Sequence, residues 1–456
     1  MTNKIYKSIY FLIFSMFFMA CDKEDLNLNP KSAIGDNAFY TNVEEVQGAV
    51  IAIYDGLQAV PLREFALTEM RSDNTKTKSS EGDWAQFESF NVKPTNLAVG
   101  DYWLANYNVI FRANRVLEHL DVVNNATLKS QFEGEAKFAR ALSHFNLVRA
   151  FGSVPIIDKV IIQTDTDYFD RDAASSVLAF IEADLTAARS ALPASSPYGR
   201  ATSGAAAALL AKVQLTQGNY AGAEAILADV VASGNYSLLA NYSDVFYTEG
   251  NNEIIFAIPY LNDNTNESQD FSFEMTAGGR VSGLNYVTSD FVAAVDPLDT
   301  ERSAVLFNPS NTAEVGKFLT TSADARLCGN DWIVLRLADV YLMHAESIMA
   351  GGASTKDLDA LASYNAIRAR VGLSTLPLDG SATLTKEMLM KERRVELAFE
   401  NHRFYDLVRF GAAESVLSAF AAGQSYSFEA TDLLLPIPQN EINVSQNLLT
   451  QNPGYN

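Results

Sequence analysis

One thiol and one row of carboxylates stand out by type and spacing. Cys21 follows an apolar run from Ile9 to Ala20, with Lys4 and Lys7 ahead of it. A charged start, a short apolar stretch and a small residue before the cut make a secretory signal. The run is roughly a dozen residues, short of the about 20 that cross a bilayer. A cysteine at the first mature position turns such a signal into a lipoprotein signal: the thiol is acylated, and lipid chains hold the folded part at a membrane surface. The alternative is an ordinary secretory signal with an incidental cysteine, since Phe18 and Met19 are less usual before the cut than Leu and Ala. The carboxylates are Glu392, Glu396 and Glu400, spaced to share one helix face. Such a row is able to hold a metal or to run acid–base chemistry. Arg393, Arg394 and Arg403 sit among them, however, so the row reads as a salt-bridged packing face, and Asp339 and Glu346 with Arg336 read the same way.

Other catalytic patterns are missing from the sequence. It contains no HExxH, no P-loop, no GxGxxG after a strand and no GxSxG. His119, His144, His344 and His402 all fall in helical segments and read as surface or core-edge residues rather than ligands. No metal or cofactor is therefore expected. Loop acids Asp73, Asp83, Asp263 and Glu274 leave open a carboxylate pair across a cleft, the requirement of a glycan hydrolase.

Composition narrows the class further. The chain has 456 residues, 48% hydrophobic, 20% charged and 11% aromatic, enough for a large core. Removing residues 1–20 takes away Lys4 and Lys7 and no acid, which moves the formal charge from -21 to -23. Such a surface argues against nucleic acid and anionic lipid as partners. Asp22, Lys23, Glu24 and Asp25 resemble the export signal that sends some lipoproteins to the outer face of the outer membrane; a plain solvated linker has the same composition. Residues 21–36 read as a tether, and 37–456 as one domain. With Cys21 acylated, Cys328 stands alone and no intramolecular disulfide can form. After Cys21 no apolar run is long enough to span a bilayer.

The elements that must position these residues are mostly helices. Apolar stripes at helical spacing cover 43–59, 103–120, 132–151, 175–192, 205–217, 220–233, 333–349 and 358–371. A long charged amphipathic helix is expected over 385–409. Helix pairs with a small residue at the turn, clearest at 205–233, resemble tetratricopeptide repeats, without a regular period. Residues 234–330 differ: Gly, Asn, Ser and Thr are frequent, and short β-rich runs such as 254–258 appear. The expected fold is mostly α, an irregular tetratricopeptide-like scaffold with a loop-rich insertion carrying a few short strands.

Five ordered motifs carry a family resemblance. Arg336, Ala338, Asp339, Leu342, Ala345 and Glu346 fit an RxADxxLxxAE block of the SusD/RagB family, and residues 364–372 resemble its next block. Residues 392–400 with 403–409 resemble its ER-ELAFE and RxYDLxR signature. Residues 435–442 and 451–455 are similar to its LPIPQxEI and QNPGY ending, and Trp103, Tyr107, Asn114 and residues 151–155 fit towards the N-terminus. The resemblance implies a surface-exposed outer-membrane lipoprotein of a Gram-negative bacterium that binds nutrient, usually a glycan or oligosaccharide, and is not an enzyme. It implies a partner, a SusC-like TonB-dependent transporter over which the protein sits as a lid. Some relatives take peptides instead. The motifs look structural, so they name the role and not the ligand.

Ligand residues are therefore chosen on physical grounds. Sugar rings offer apolar C–H faces that stack on aromatic rings while polar neighbours take the hydroxyls. Trp103 and Trp332 fall in family blocks and read as core. Trp84 follows a polar stretch, Arg71 to Asp83, with Asn74 close by, and is the first stacking candidate; the alternative is a tryptophan that folds its own loop onto the scaffold. Tyr286 beside Asn285 is second, and Tyr260 with Asn262 and Asp263 is third.

Overall fold

The computed structural model describes residues 39–78, 82–276, 284–320, 322, 324 and 327–455. The signal segment, Cys21 and the tether to residue 36 lie outside the described residues. Long helices arise where apolar residues recur every three or four positions and a short polar side chain stands ahead of them. In α1 (Val43–Leu57), Val46, Val50, Ile53 and Leu57 are buried together. Asn42 Oδ1 accepts from Glu45 N at 3.0 Å, and the Glu45 carboxylate accepts in return from Thr41 N at 2.7 Å. α2 (Leu97–Glu118) and α3 (Ala126–Phe151) start from the Asn96 and Asn125 side chains in the same way. α3 ends at Gly152, whose φ of +74° lies where residues with a Cβ are rarely found. α4 (Ala174–Ala191) stops just short of Pro193, and α5 (Ser203–Thr216) and α6 (Tyr220–Ala232) are capped by Thr202 and Asn219.

Each of these helices packs on the one before it. A fourth pair, α7 (Leu337–Met349) and α8 (Leu358–Arg370), extends the array, with α7 against α6 although residues 233–336 lie between them in sequence. The mostly α, tetratricopeptide-like fold expected from the sequence is the fold found. The excursion is closed at its base by an antiparallel pair, β1 (Ile254–Ile258) and β2 (Trp332–Arg336), with Ile254 opposite Arg336 and Ile258 opposite Trp332. Two-residue strands Thr75–Lys76 and Tyr286–Val287 pair elsewhere, joining the excursion to the N-terminal part. No helix among the described residues is long and apolar enough to cross a membrane.

Two expected helices are corrected. The stripe from Ile333 begins as β2, and α7 starts only at Leu337, because Trp332 to Arg336 find a strand partner in the excursion. The helix expected over 385–409 breaks: α9 (Lys386–Glu396) ends, Phe399 and Asn401 take φ of 67° and 63°, and a short helix resumes at Arg403–Arg409. The break is buried and has a cause in the tertiary contacts. It turns the Glu400 carboxylate onto Arg336 at 2.6 Å and offers Asn401 N to Glu69 Oε1 at 2.9 Å.

The acids expected on a packing face lie in a buried ion-pair network. Arg336 reaches Glu253 at 3.0 Å, Glu396 at 2.6 Å and Glu400 at 2.6 Å. Arg302 holds Asp299, Glu392 and Glu396; Arg370 holds Glu253 and Glu396; Lys317 holds Glu400; Arg368 holds Glu392. Five cations face five carboxylates, so the cluster is neutral as a whole. Burial works against the Glu396 carboxylate, yet Arg370, Arg336 and Arg302 outweigh it and hold it below the usual carboxylate range. A second cluster joins Lys212 and Arg393 to Asp339, each at 2.9 Å, and Arg393 and Arg409 to Asp406, each at 2.8 Å.

The histidines are engaged structurally. His144 and His402 are buried; burial, with the Lys212 charge beside His402, pushes both down to about 3, so they are neutral. His119 stacks on Tyr40 with ring centroids 4.1 Å apart, and His344 Nδ1 meets Ser363 Oγ at 2.8 Å.

Removing one partner from such a network leaves uncompensated charge in the interior. Arg336→Met should therefore lower unfolding free energy in urea by about 3–5 kcal/mol. The surface pair Arg63–Asp101, at 3.2 Å and partly exposed, serves as the control: Arg63→Ala should cost less than about 1 kcal/mol. Equal losses in the two variants would contradict the assignment of the clamp to the interior network.

Candidate functional site

The strand pair of residues 75–76 and 286–287 brings three of the five candidate residues together. Thr75 Oγ1 donates to Asn285 Oδ1 at 2.7 Å, and Thr288 N donates to the Asn74 carbonyl at 3.0 Å. All three candidates are buried: Asn74 and Asn285 fully, Tyr286 with 8% of its surface exposed. Asn74 is engaged on both sides of its amide, accepting from Arg394 Nε at 2.9 Å and donating to Glu69 at 3.3 Å. Burial pushes the Glu69 carboxyl up to about 7, against the hydrogen bonds of Asn74 and Asn401. The Tyr286 ring faces the Lys78 ammonium 5.4 Å from its centroid.

The other two candidates are held by different elements. Trp84 lies in the short helix Gly82–Glu88 rather than in a loop, partly exposed, with its ring stacked on Phe65 at 5.9 Å and 13°. Tyr260 is buried; its hydroxyl donates to the Gln58 carbonyl at 2.5 Å, and its ring meets Phe271 edge-on at 5.9 Å.

The first part of the polar stretch before Trp84 is interior, which corrects its reading as a loop open to ligand, although Lys76 and Lys78 stay exposed. Arg71, Ser72, Asp73, Asn74, Thr75 and Thr77 are all buried. The cause is the C-terminal part of the chain: Arg403 grips both Asp73 oxygens at 2.8 Å, and Arg394 adds a contact at 3.0 Å. Asp73 is thus committed to arginine. Among the other loop acids, Asp83 accepts from Leu97 N at 3.2 Å, Asp263 is exposed and Glu274 is buried.

A feature missed in the sequence lies where the excursion meets the loop between α4 and α5. A cavity of about 230 Å³ is lined by Tyr198, Tyr247, Glu249, Asn262, Asn330 and Asp331, among others. Tyr198 and Tyr247 keep 41% and 43% of their surface exposed. Asp331 receives hydrogen bonds from the Tyr198 hydroxyl at 2.5 Å and from Tyr260 N at 3.0 Å. Burial pushes its carboxyl up to about 6, with these hydrogen bonds pulling the other way. Behind Tyr198 a second cavity of about 240 Å³ is lined by Ser195, Ser196, Asn235, Tyr236 and Asn252 with Arg200. The rule that selects Trp84, an aromatic among polar loop residues, also fits Tyr198 between Pro197 and Gly199, and Tyr247 before Thr248 and Glu249. Ring size ranks tryptophan first, whereas exposure is settled only by packing.

A helical-repeat array broken by a loop-rich excursion, with aromatic and amide groups at their junction, defines the class of this protein. The chain belongs to the SusD family. A sequence model of that family matches residues 310–455, and a second, described as "Starch-binding associating with outer membrane", matches residues 26–215. A solved laminarin-binding SusD-like protein is 30% identical, covered over 91% of this chain and 100% of its own, with a TM-score of 0.76. SusD-like protein P2 of Formosa agariphila is 26% identical over 99% of this chain and 100% of its own. Surface glycan-binding protein A from Bacteroides thetaiotaomicron, solved in complex with laminarihexaose, shares the fold at 22% identity and a TM-score of 0.77, over 90% of this chain and 100% of its own. The two solved structures are described as binding proteins.

Partial exposure and stacking on Phe65 set Trp84 between a core residue and a free ring. Trp84→Ala should lower unfolding free energy by about 1–3 kcal/mol. Trp103, buried with its ring edge-on to Phe151 at 5.0 Å, should cost about 3–5 kcal/mol when cut to alanine. Thermal and urea melts of the two variants measure the difference, and a Trp84 loss as large as that of Trp103 would place it in the core.

Proposed function

We propose that this protein is a glycan-binding lipoprotein of the outer membrane, facing the exterior and acting as the lid of a SusC-like TonB-dependent transporter. In this reading residues 1–20 are a signal peptide, Cys21 carries the acyl chains, residues 21–36 are the tether and residues 37–456 are the binding domain. The observation that carries it is the 30% identity, across nearly the whole chain, to a relative described as laminarin-binding. An oligosaccharide rather than a peptide is favoured because other structures of the same fold hold laminarihexaose and a xylogluco-oligosaccharide. Trp84 is the ring proposed for stacking, since part of it faces outward. Asn74, Asn285, Tyr286 and Tyr260 are buried, and we assign them a supporting role within the fold. Binding is favoured over hydrolysis, since Asp73, one of the loop acids, is held by two arginines.

Two measurements test this reading. Native gels cast with laminarin, xyloglucan or other neutral polysaccharides should retard the full-length protein, with no new reducing ends released. Migration unaffected by every glycan tried would oppose glycan binding, and reducing ends would favour the hydrolase. Cys21→Ala should move the protein from the membrane fraction to the soluble one, and mild detergent extraction of the parent protein should bring down a large β-barrel. A Cys21→Ala variant still in the membrane fraction would sink the lipid anchor.

A further inference from the structure

We infer that the groove divided by Tyr198 is an oligosaccharide site separate from Trp84, built for an uncharged glycan, with Tyr198 and Tyr247 as its stacking rings. The inference rests on the glycan-binding reading above and adds a place and a ligand class to it.

Exposure first draws attention to the groove. Among the described residues, three aromatic side chains are exposed: Phe111, Tyr198 and Tyr247. Two of the three line the same cavity. Aromatic surface left in water is unfavourable unless a partner covers it. A sugar ring is such a partner, because its C–H face is apolar and its edge is polar.

The rings are also fixed in place. The Tyr198 hydroxyl donates to Asp331, and the Tyr247 hydroxyl donates to the Gly316 carbonyl. The Tyr198 ring lies over Gly250, whose φ is +63° and whose Cβ position would fall 3.6 Å from the ring. Gly199 beside it has no room for a side chain: a Cβ there would come within 2.5 Å of Pro259. A ring already held in its binding orientation loses little rotamer freedom when a ligand arrives.

Size and polarity point to the ligand. Each cavity alone, about 230 and 240 Å³, falls short of the roughly 300–1,000 Å³ typical of small-molecule sites; joined across Tyr198 they reach it. A linear oligosaccharide lying across Tyr198 would use both. On one side it meets Asn262, Asn330 and Glu249, and on the other Asn235, Asn252 and Ser195. Among the described residues, Arg200 is the one basic residue lining either cavity, and Glu135 already holds it through two bonds of 2.8 and 2.7 Å. With Glu249 and Asp331 in the wall and no free cation among the described lining residues, a uronate or sulfate group would be disfavoured by like charge. The carboxylates and amides suit the hydroxyl groups of a neutral sugar.

The test is calorimetric titration of the full-length protein in detergent with laminarihexaose, a xyloglucan oligosaccharide and an oligogalacturonate. Tyr198→Ala should weaken binding of the neutral ligand at least about fivefold, and Tyr198→Phe, which keeps the ring but loses its tie to Asp331, should lose less than the alanine variant. Tyr198→Trp should show a change in tryptophan emission as the neutral ligand is added. Full affinity in both Tyr198→Ala and Tyr247→Ala, with the parent protein binding normally, would overturn the groove and leave glycan binding standing. Equal affinity for oligogalacturonate would overturn the uncharged ligand class. A parent protein that binds no glycan at all would overturn the groove together with the reading it rests on.

Discussion

The buried salt bridges between Arg336 and the acids Glu253, Glu396 and Glu400 are the constraint on which the rest of the structure depends. A helical array interrupted by a long excursion has a difficulty that an unbroken array lacks. The excursion must leave after α6 and return so that α7 can pack where the next repeat belongs. The strand pair β1–β2 brings the chain back, but four paired positions with a register irregularity are a short seam. The ion pairs supply the rest. Glu253, Asp299, Arg302 and Lys317 come from the excursion, Arg336 from its last strand, Arg370 from α8, Glu392 and Glu396 from α9, and Glu400 from the turn after it.

Such a network is not a large reserve of stability. Taking charges out of water costs several kcal/mol per ion, and an apolar replacement of the same shape is often as stable or more so. What the network supplies here is position. Each guanidinium accepts only a few arrangements of carboxylates, and each misplaced carboxylate would be left buried without a partner. The excursion therefore has one low-energy seating against the C-terminal helices. That seating explains the break at Leu397 to His402: a continuous helix would carry Glu400 away from Arg336 and Lys317.

The groove at Tyr198 follows from the same seating. Tyr247, Asn262, Asn330 and Asp331 belong to the excursion, while Tyr198 belongs to the loop joining two array helices. Neither part has a groove alone. Once they meet, the Tyr198–Asp331 hydrogen bond spans the junction and orients the ring. Acids in the interior are neutralised by arginine, whereas Glu249 and Asp331 line the groove.

Local periodicity, caps and motif order were enough to read eight helix stripes, the helical-repeat class and the loop-rich excursion, because each depends on residues three or four apart in the chain. Glu392, Glu396 and Glu400 are salt-bridged as read, but their partners are Arg302, Lys317, Arg336, Arg368 and Arg370, whereas the interleaved Arg393, Arg394 and Arg403 pair with Asp339, Asp406, Asp73 and Asp290. What sequence alone left undecided depends on partners far away in the chain. Ile333 to Leu335 are apolar enough for either helix or strand, and a strand partner some eighty residues earlier decides it. Arg71 to Thr75 look solvated until Arg394 and Arg403 arrive to bury them. Tyr260 and Tyr286 look like loop aromatics on the same terms as Tyr198 and Tyr247, yet packing buries the first two and exposes the others. Polarity along a chain reports what a residue tolerates. Whether it meets water or an arginine is set by which distant segment folds against it, and that is decided in three dimensions.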